Sequence, residues 1–122
     1  MKVAGIGFRK GTPLAALQAV LAAAEEQGGV VAAIATLPEK STDPNLVALA
    51  RDRHLPILAV AVAGVETPTQ SARITAMHGT GSVAEAAALV AAGPGARITL
   101  ARISAPGGMA TAAIATSSGD LA

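Results

Sequence analysis

Val3-Ala4-Gly5-Ile6-Gly7-Phe8-Arg9-Lys10-Gly11-Thr12-Pro13-Leu14 sets out a strand, a loop and a helix start in one short stretch. Val3 to Gly7 is an apolar run of the length and composition of a buried strand. Phe8 to Gly11 reads as the loop that leaves it. Thr12-Pro13 then opens a helix: threonine is a favoured N-cap, and proline at the first helical position gives up only an N–H that has no intrahelical partner. Leu14, Leu17, Leu21 and Ala24 share one face of this helix. Glu25 and Glu26 sit on or near its solvent side, and Gly28-Gly29 stops it.

The same unit returns downstream. Val30 to Thr36 is apolar with little alternation, the pattern of a strand covered on both faces. Pro38 to Thr42 is a polar loop, and Asp43-Pro44 repeats the cap-plus-proline signal. The helix that follows turns Leu46, Leu49 and Ala50 inward and closes on Arg51-Asp52-Arg53. His54-Leu55-Pro56 leads into a third strand, Ile57 to Ala61. Ala63 to Gly81 is irregular, with Thr67-Pro68 opening a short helix that carries Ser71, Arg73 and Ile74. Ser82 opens a clear helix running to about Ala92. Arg97 to Ile103 and Met109 to Thr116 read as strands joined by Ala105-Pro106-Gly107-Gly108, an antiparallel pair. Ser117 to Ala122 reads as a frayed tail. The order β-α-β-α-β-(α)-α-β-β predicts an α/β fold: a three-layer α/β/α sandwich around a mostly parallel, mixed sheet of about five strands, in a single domain, 1–122.

Composition narrows the function classes. The chain has 122 residues, of which 52% are hydrophobic and 14% charged. That supplies a core without help from disulfides or a metal. There is no cysteine, which removes disulfides, a thiolate nucleophile and cysteine-ligated metals and agrees with a cytoplasmic protein. Two separated histidines make no recognisable metal site, so neither metal nor cofactor is expected. The net charge is +1 and Phe8 is the sole aromatic residue, which argues against a nucleic-acid partner. No apolar stretch approaches the ~18 residues of a membrane span. The run up to Phe8 is too short for a signal-peptide core. A soluble protein without a membrane partner is expected.

In an open α/β sheet, ligands bind beyond the carboxyl ends of the strands. Three loops leave those ends here: Phe8 to Thr12, Leu37 to Asp43, and Val62 to Ser71. In the first, Gly5 and Gly7 permit tight turns and close approach of a ligand. Arg9 and Lys10 add positive charge beside a helix start whose N–H groups are unpaired. Together they suit a carboxylate or phosphate, although a solvated turn would look the same. Gly5-x-Gly7-x-x-x-Gly11 misses the dinucleotide spacing by one residue, and Lys10 precedes Gly11 where a P-loop lysine would follow it. In the second loop, Lys40 either meets an anion or pairs with Glu39, and Asp43 has sufficient work as a cap. Ser82-x-x-Glu85 is a capping box, while Gly79 and Gly81 leave room for a ligand at the same helix end. A helix start favours negative charge, so Glu85 suits a base or acceptor rather than a general acid. His78 has a side chain that titrates near neutral pH, and equally fits an ordinary loop histidine. His54, at a helix end, reads as structural. Ser71, Ser82 and Ser104 lack a nucleophile elbow, which argues against a serine hydrolase.

Three segments together resemble the CobE/CbiG C-terminal domain family of cobalamin (vitamin B12) biosynthesis. Gly5-Ile-Gly-Phe-Arg-Lys-Gly-Thr12 matches its opening G-x-G-x-R-K-G-T/S. Ala35 to Leu46 looks like A-[ST]-x-x-x-K-x-x-[ED]-x-x-L, with Lys40 and Asp43 at the marked places and aspartate where glutamate is frequent. Gly79 to Leu89 is close to G-x-x-[SG]-V-A-E-A-A-A-L. CbiG proteins carry additional domains ahead of this one and open a ring lactone of a cobalt-precorrin. This chain starts at the shared domain's first strand and looks like the stand-alone CobE form.

The resemblance implies a protein that binds a polycarboxylate corrin or precorrin as carrier or accessory factor. Other enzymes of the pathway are then further candidate partners. Its ligand would meet the first loop, from Gly7 and Phe8 through Arg9, Lys10 and Gly11 to Thr12. Lys40, Ser71 and the Gly79, Gly81 and Ser82 turn would complete the site. Whether the chain is an enzyme stays open. One alternative is a precorrin-modifying hydrolase using His78, Asp43 and Glu85 as acid/base groups. The other is a nucleotide- or phosphate-binding module.

Overall fold

The computed structural model describes residues 1–117, the side chains of Arg73, Met77 and His78 excepted. The elements in chain order are β1 (Lys2–Phe8), α1 (Leu14–Gly28), β2 (Ala33–Thr36), a single 3₁₀ turn (Pro38–Lys40), α2 (Pro44–Arg53), β3 (Ile57–Ala59), α3 (Ala72–His78), α4 (Val83–Ala92), β4 (Arg97–Ser104) and β5 (Ala110–Thr116). One five-stranded sheet runs in the order β3-β2-β1-β5-β4. β1, β2 and β3 are parallel, with Ala4 opposite Ile34 and Ile34 opposite Ile57. β5 lies antiparallel to β1 from Lys2↔Thr116 to Phe8↔Ala110, and antiparallel to β4 on its other side. Four strands therefore point one way and β5 alone runs against them.

The alternation of side chains across the sheet makes two cores. Ala4, Ile6, Ile34, Ala112 and Ile114 pack against Leu17, Val20 and Leu21 of α1 and Leu46 and Leu49 of α2. Val3, Ala33, Ala35 and Ala115 face the other way, against the alanine-rich α4. This is the expected α/β/α sandwich with a mixed sheet. The second face is thin because α4 lies directly on β1. A Cβ on Gly5 would stand 1.8 Å from the Ala84 carbonyl oxygen. The glycine expected to serve a turn or a ligand is thus mid-strand, and the backbone it admits is that of a helix.

Several boundaries differ from expectation for local reasons. Pro13, not Thr12, stands at the N-cap of α1. Thr12 is buried and its hydroxyl turns back to the Arg9 carbonyl at 2.7 Å. β2 begins at Ala33 rather than Val30, because Val31 N–H is taken by the Glu25 carboxylate at 3.0 Å. Glu25 also pairs with Arg53, so its side chain is less solvated than its position suggests. β3 ends at Ala59, two residues early. Thr67-Pro68 opens no helix; Ser71 caps α3 instead, and the Thr67 hydroxyl bonds the Thr69 carbonyl. Ser117 is no part of a frayed tail, since its N–H meets the Met1 carbonyl at 3.0 Å. The rest of the expected tail, residues 118–122, lies outside the described residues. None of the described helices is long and apolar enough to cross a membrane.

Candidate ligand site

The crevice sits where the sheet rule puts it, at the carboxyl ends of β1, β2 and β4 and the start of β5. It encloses about 530 Å³, within the ~300–1,000 Å³ of small-molecule sites. The loop after β1 contributes Arg9 and Lys10, and the turn after β2 contributes Lys40. Ser71, the cap of α3, and Ile74 within it contribute one wall, α4 its first residue Val83, and β4 Arg102 and Ser104. Gly7, Phe8, Leu37 and Met109 give it apolar surface.

Hydrogen bonds, local and long-range, hold the first loop in place. Thr12 N–H donates to the Arg9 carbonyl at 3.1 Å, closing a turn whose third residue, Gly11, has φ 85°. Only glycine adopts that angle without strain, so Gly11 shapes the turn that displays Lys10. The Thr12 hydroxyl also reaches the Met109 carbonyl at 3.3 Å, and Arg9 N–H donates to the same oxygen at 3.1 Å. The first loop is thereby tied to the β4–β5 hairpin. Asn45 on α2 donates to the Thr12 carbonyl at 3.0 Å, tying it to the second helix as well. Beneath, the buried Thr36 hydroxyl donates to the Ile6 carbonyl at 2.8 Å. The Lys40 ammonium lies 5.3 Å from the centroid of the Phe8 ring, a cation–π contact. Lys40 thus meets an aromatic face rather than Glu39.

The electrostatics are one-sided. Arg9, Lys10, Lys40 and Arg102 border the crevice, and none has a carboxylate partner among the described residues. The N-terminus of α4 adds its partial positive charge at the Val83 wall. Such an arrangement suits an anion, and its apolar floor suits one carried on a hydrophobic body.

Of the residues singled out from sequence, Gly7, Phe8, Arg9, Lys10, Lys40 and Ser71 share this crevice. Gly11 and Thr12 support it from behind. Gly79, Gly81 and Ser82 do not line it, because local structure uses them. Gly79 ends α3 at φ 70°, and the Gly81 carbonyl accepts the Ser71 N–H at 3.0 Å. Ser82 is fully buried and accepts the Glu85 N–H at 3.3 Å. The capping box is only half formed: Glu85 does not return to Ser82. Its carboxylate instead accepts from Thr69 N–H (2.8 Å), Thr69 O–H (2.7 Å) and Arg102 N–H (2.8 Å). Asp43 accepts from Asn45 and Leu46 N–H at 2.9 and 3.2 Å as the cap of α2. Neither carboxylate lines the crevice, and the His78 side chain lies outside the described residues. Sequence reasoning does not reach Arg102 and Met109, and weighs Ser104 only as a nucleophile, because the hairpin's place beside β1 is a long-range fact.

A three-layer α/β domain with a cationic crevice at its carboxyl edge is the class that fold and site define. Comparison gives the family. The model of the cobalamin synthesis G C-terminus matches residues 2–115, and the chain belongs to that family. Two solved structures are similar over nearly the whole chain. The cobalamin biosynthesis protein ChiG from Agrobacterium tumefaciens str. C58 has 36% identity and a TM-score of 0.73, covering 97% of this chain and 99% of that one. CobE, a protein of the cobalamin (vitamin B12) biosynthetic pathway, has 31% identity and a TM-score of 0.79, covering 94% and 89%. A search of curated proteins returned no match.

Proposed function

We propose that this member of the cobalamin biosynthesis family binds a polycarboxylate corrin intermediate in the crevice, as a carrier or accessory factor. The observation that carries the reading is the set of four cations, free of carboxylate partners among the described residues, around an apolar floor. Corrin precursors are flat macrocycles fringed with acetate and propionate groups. Arg9 and Arg102 suit two-pronged contacts with such carboxylates, and Lys10 and Lys40 supply point charges. Phe8, Leu37 and Met109 offer the ring an apolar bed. Asp43, held by two backbone N–H groups, and Glu85, held by two backbone N–H groups and the Thr69 hydroxyl, do not line the crevice and give little support to the hydrolytic alternative.

Titration with hydrogenobyrinic acid, followed in the visible spectrum, tests this. Saturable binding is expected, weakened about a hundredfold by Arg9→Ala with Lys10→Ala, the scale of two charge-assisted hydrogen bonds. No saturable change at micromolar protein, or binding indifferent to the double substitution, refutes it. A rise in melting temperature with ATP or NAD and none with the corrin points instead to a nucleotide-binding module.

A further inference from the structure

β4, the outer strand, does not alternate regularly. Ile98 lies opposite Ala115 and packs on the α4 side. Leu100, opposite Ile114, and Ile103, opposite Ala112, both pack on the α1 side. The register shifts between Ile98 and Leu100 and again between Leu100 and Ile103. Regular alternation from Leu100 would send Arg102 to the α1 core. The second shift delivers it to the crevice instead.

A bulge leaves its extra residue outside the ladder, so a displaced N–H needs another acceptor. Arg102 N–H finds it in the Glu85 carboxylate at 2.8 Å. Glu85 is fully buried on α4, and its other two bonds go to Thr69. Thr69 belongs to the connection that leaves β3, at the opposite edge of the sheet from β4. One carboxylate therefore fastens the bulge to the segment that leads into Ser71 and α3. Its three donors are neutral, and burying a charge with neutral partners is costly. A glutamine there would offer one acceptor oxygen in place of two and set an N–H against a donor.

The geometry points to Arg102 as a carboxylate-binding residue of the crevice and to Glu85, acting through the β4 bulge, as its positioning residue. This rests on the corrin reading above and narrows it. Arg9 and Lys10 leave β1, and β5 stands between β1 and β4. Two strand spacings separate those charges from Arg102, or about 10 Å. The favoured ligand carries carboxylates on opposite sides of its body, and a single small anion cannot reach both walls.

A double-substitution cycle with hydrogenobyrinic acid tests the assignment. Arg102→Ala weakens binding about tenfold, the scale of one charge-assisted carboxylate contact. Glu85→Gln weakens it several-fold in the wild-type background and no further once Arg102 is alanine. Unchanged affinity of Arg102→Ala overturns the inference. So does a Glu85→Gln loss that persists in the Arg102→Ala background, which would make Glu85 a general scaffold. Should Glu85→Gln fail to fold, Thr69→Val removes one of the three donors and enters the same cycle with the same two outcomes. Failure of the wild type to bind overturns the corrin reading and this inference together. Wild-type binding with an indifferent Arg102→Ala overturns the inference alone.

Discussion

Replacing Gly5 by alanine adds one methyl group where the sheet and α4 touch. The new Cβ stands 1.8 Å from the Ala84 carbonyl oxygen and 2.8 Å from Ala88 N. Both are backbone atoms, so no side chain can rotate out of the way. Ordinary contact begins at 3.4 Å, and α4 must lift by the difference, about 1.6 Å. Ala84, Ala86, Ala87 and Ala88 are all fully buried, and the lift loosens them together. Overpacking a core costs ~1–3 kcal/mol, and the forfeited dispersion contacts add to it. We expect a loss of about 3 kcal/mol or more, a large part of the ~5–15 kcal/mol that stabilises a domain. That corresponds to a fall in Tm of about 10 °C. Urea and thermal denaturation followed by circular dichroism measure it. Gly28→Ala is the control: its Cβ meets the end of the Ile114 side chain at 2.7 Å, which can move, and Leu100 Cβ at 3.3 Å, which needs to give only about 0.1 Å to reach ordinary contact. Gly28 is the last residue of α1, where alanine's helix preference counts for less than the ~1 kcal/mol of a helix interior, so Gly28→Ala should stay within ~1 kcal/mol of wild type. A Gly5→Ala protein melting within ~2 °C of wild type refutes the reasoning about α4.

Asp43→Ala should cost about 1 kcal/mol by loss of the α2 cap, with corrin affinity unchanged; an affinity loss without a stability loss would give Asp43 a direct role. Thr12→Val removes the hydroxyl that holds the Arg9 and Met109 carbonyls. It should lower stability by about 1 kcal/mol and weaken binding through the loosened loop, both readable in one ligand-dependent melting series. Raising salt should weaken corrin binding, because solvent-exposed charges are screened beyond ~10 Å at 0.1 M ionic strength. Salt-independent binding would place the energy in the apolar floor instead.

The parts of this fold written locally were legible in the chain. Asp43-Pro44 and Ser82 mark helix starts, Gly28-Gly29 marks a stop, and apolar runs mark the strands between. The crevice followed from the sheet rule, and Arg9, Lys10, Lys40 and Ser71 meet there. What local patterns do not carry is which strands become neighbours. β5 enters between β1 and β4, and with it come Arg102, Ser104 and Met109. One trace of this was present: in Arg97 to Ser104 the apolar positions 98, 100 and 103 break the period of two, as a bulge does. Ser82-x-x-Glu85 shows the opposite failure. The pattern fits a reciprocal cap, but donors distant in sequence, Thr69 and Arg102, hold the glutamate.

The middle position of β5 has a consequence for how the molecule is made. The five strands leave the ribosome in numerical order, yet the fifth fills a gap beside the first. Until it arrives, one margin of β1 stands open on the nascent polypeptide, a template for unwanted strand addition. The crevice is likewise unfinished, since Met109 has not yet latched Arg9. β5 therefore joins β4 to the other three strands and closes the pocket in one step, and a chain interrupted before Ala110 would leave β4 without its neighbour.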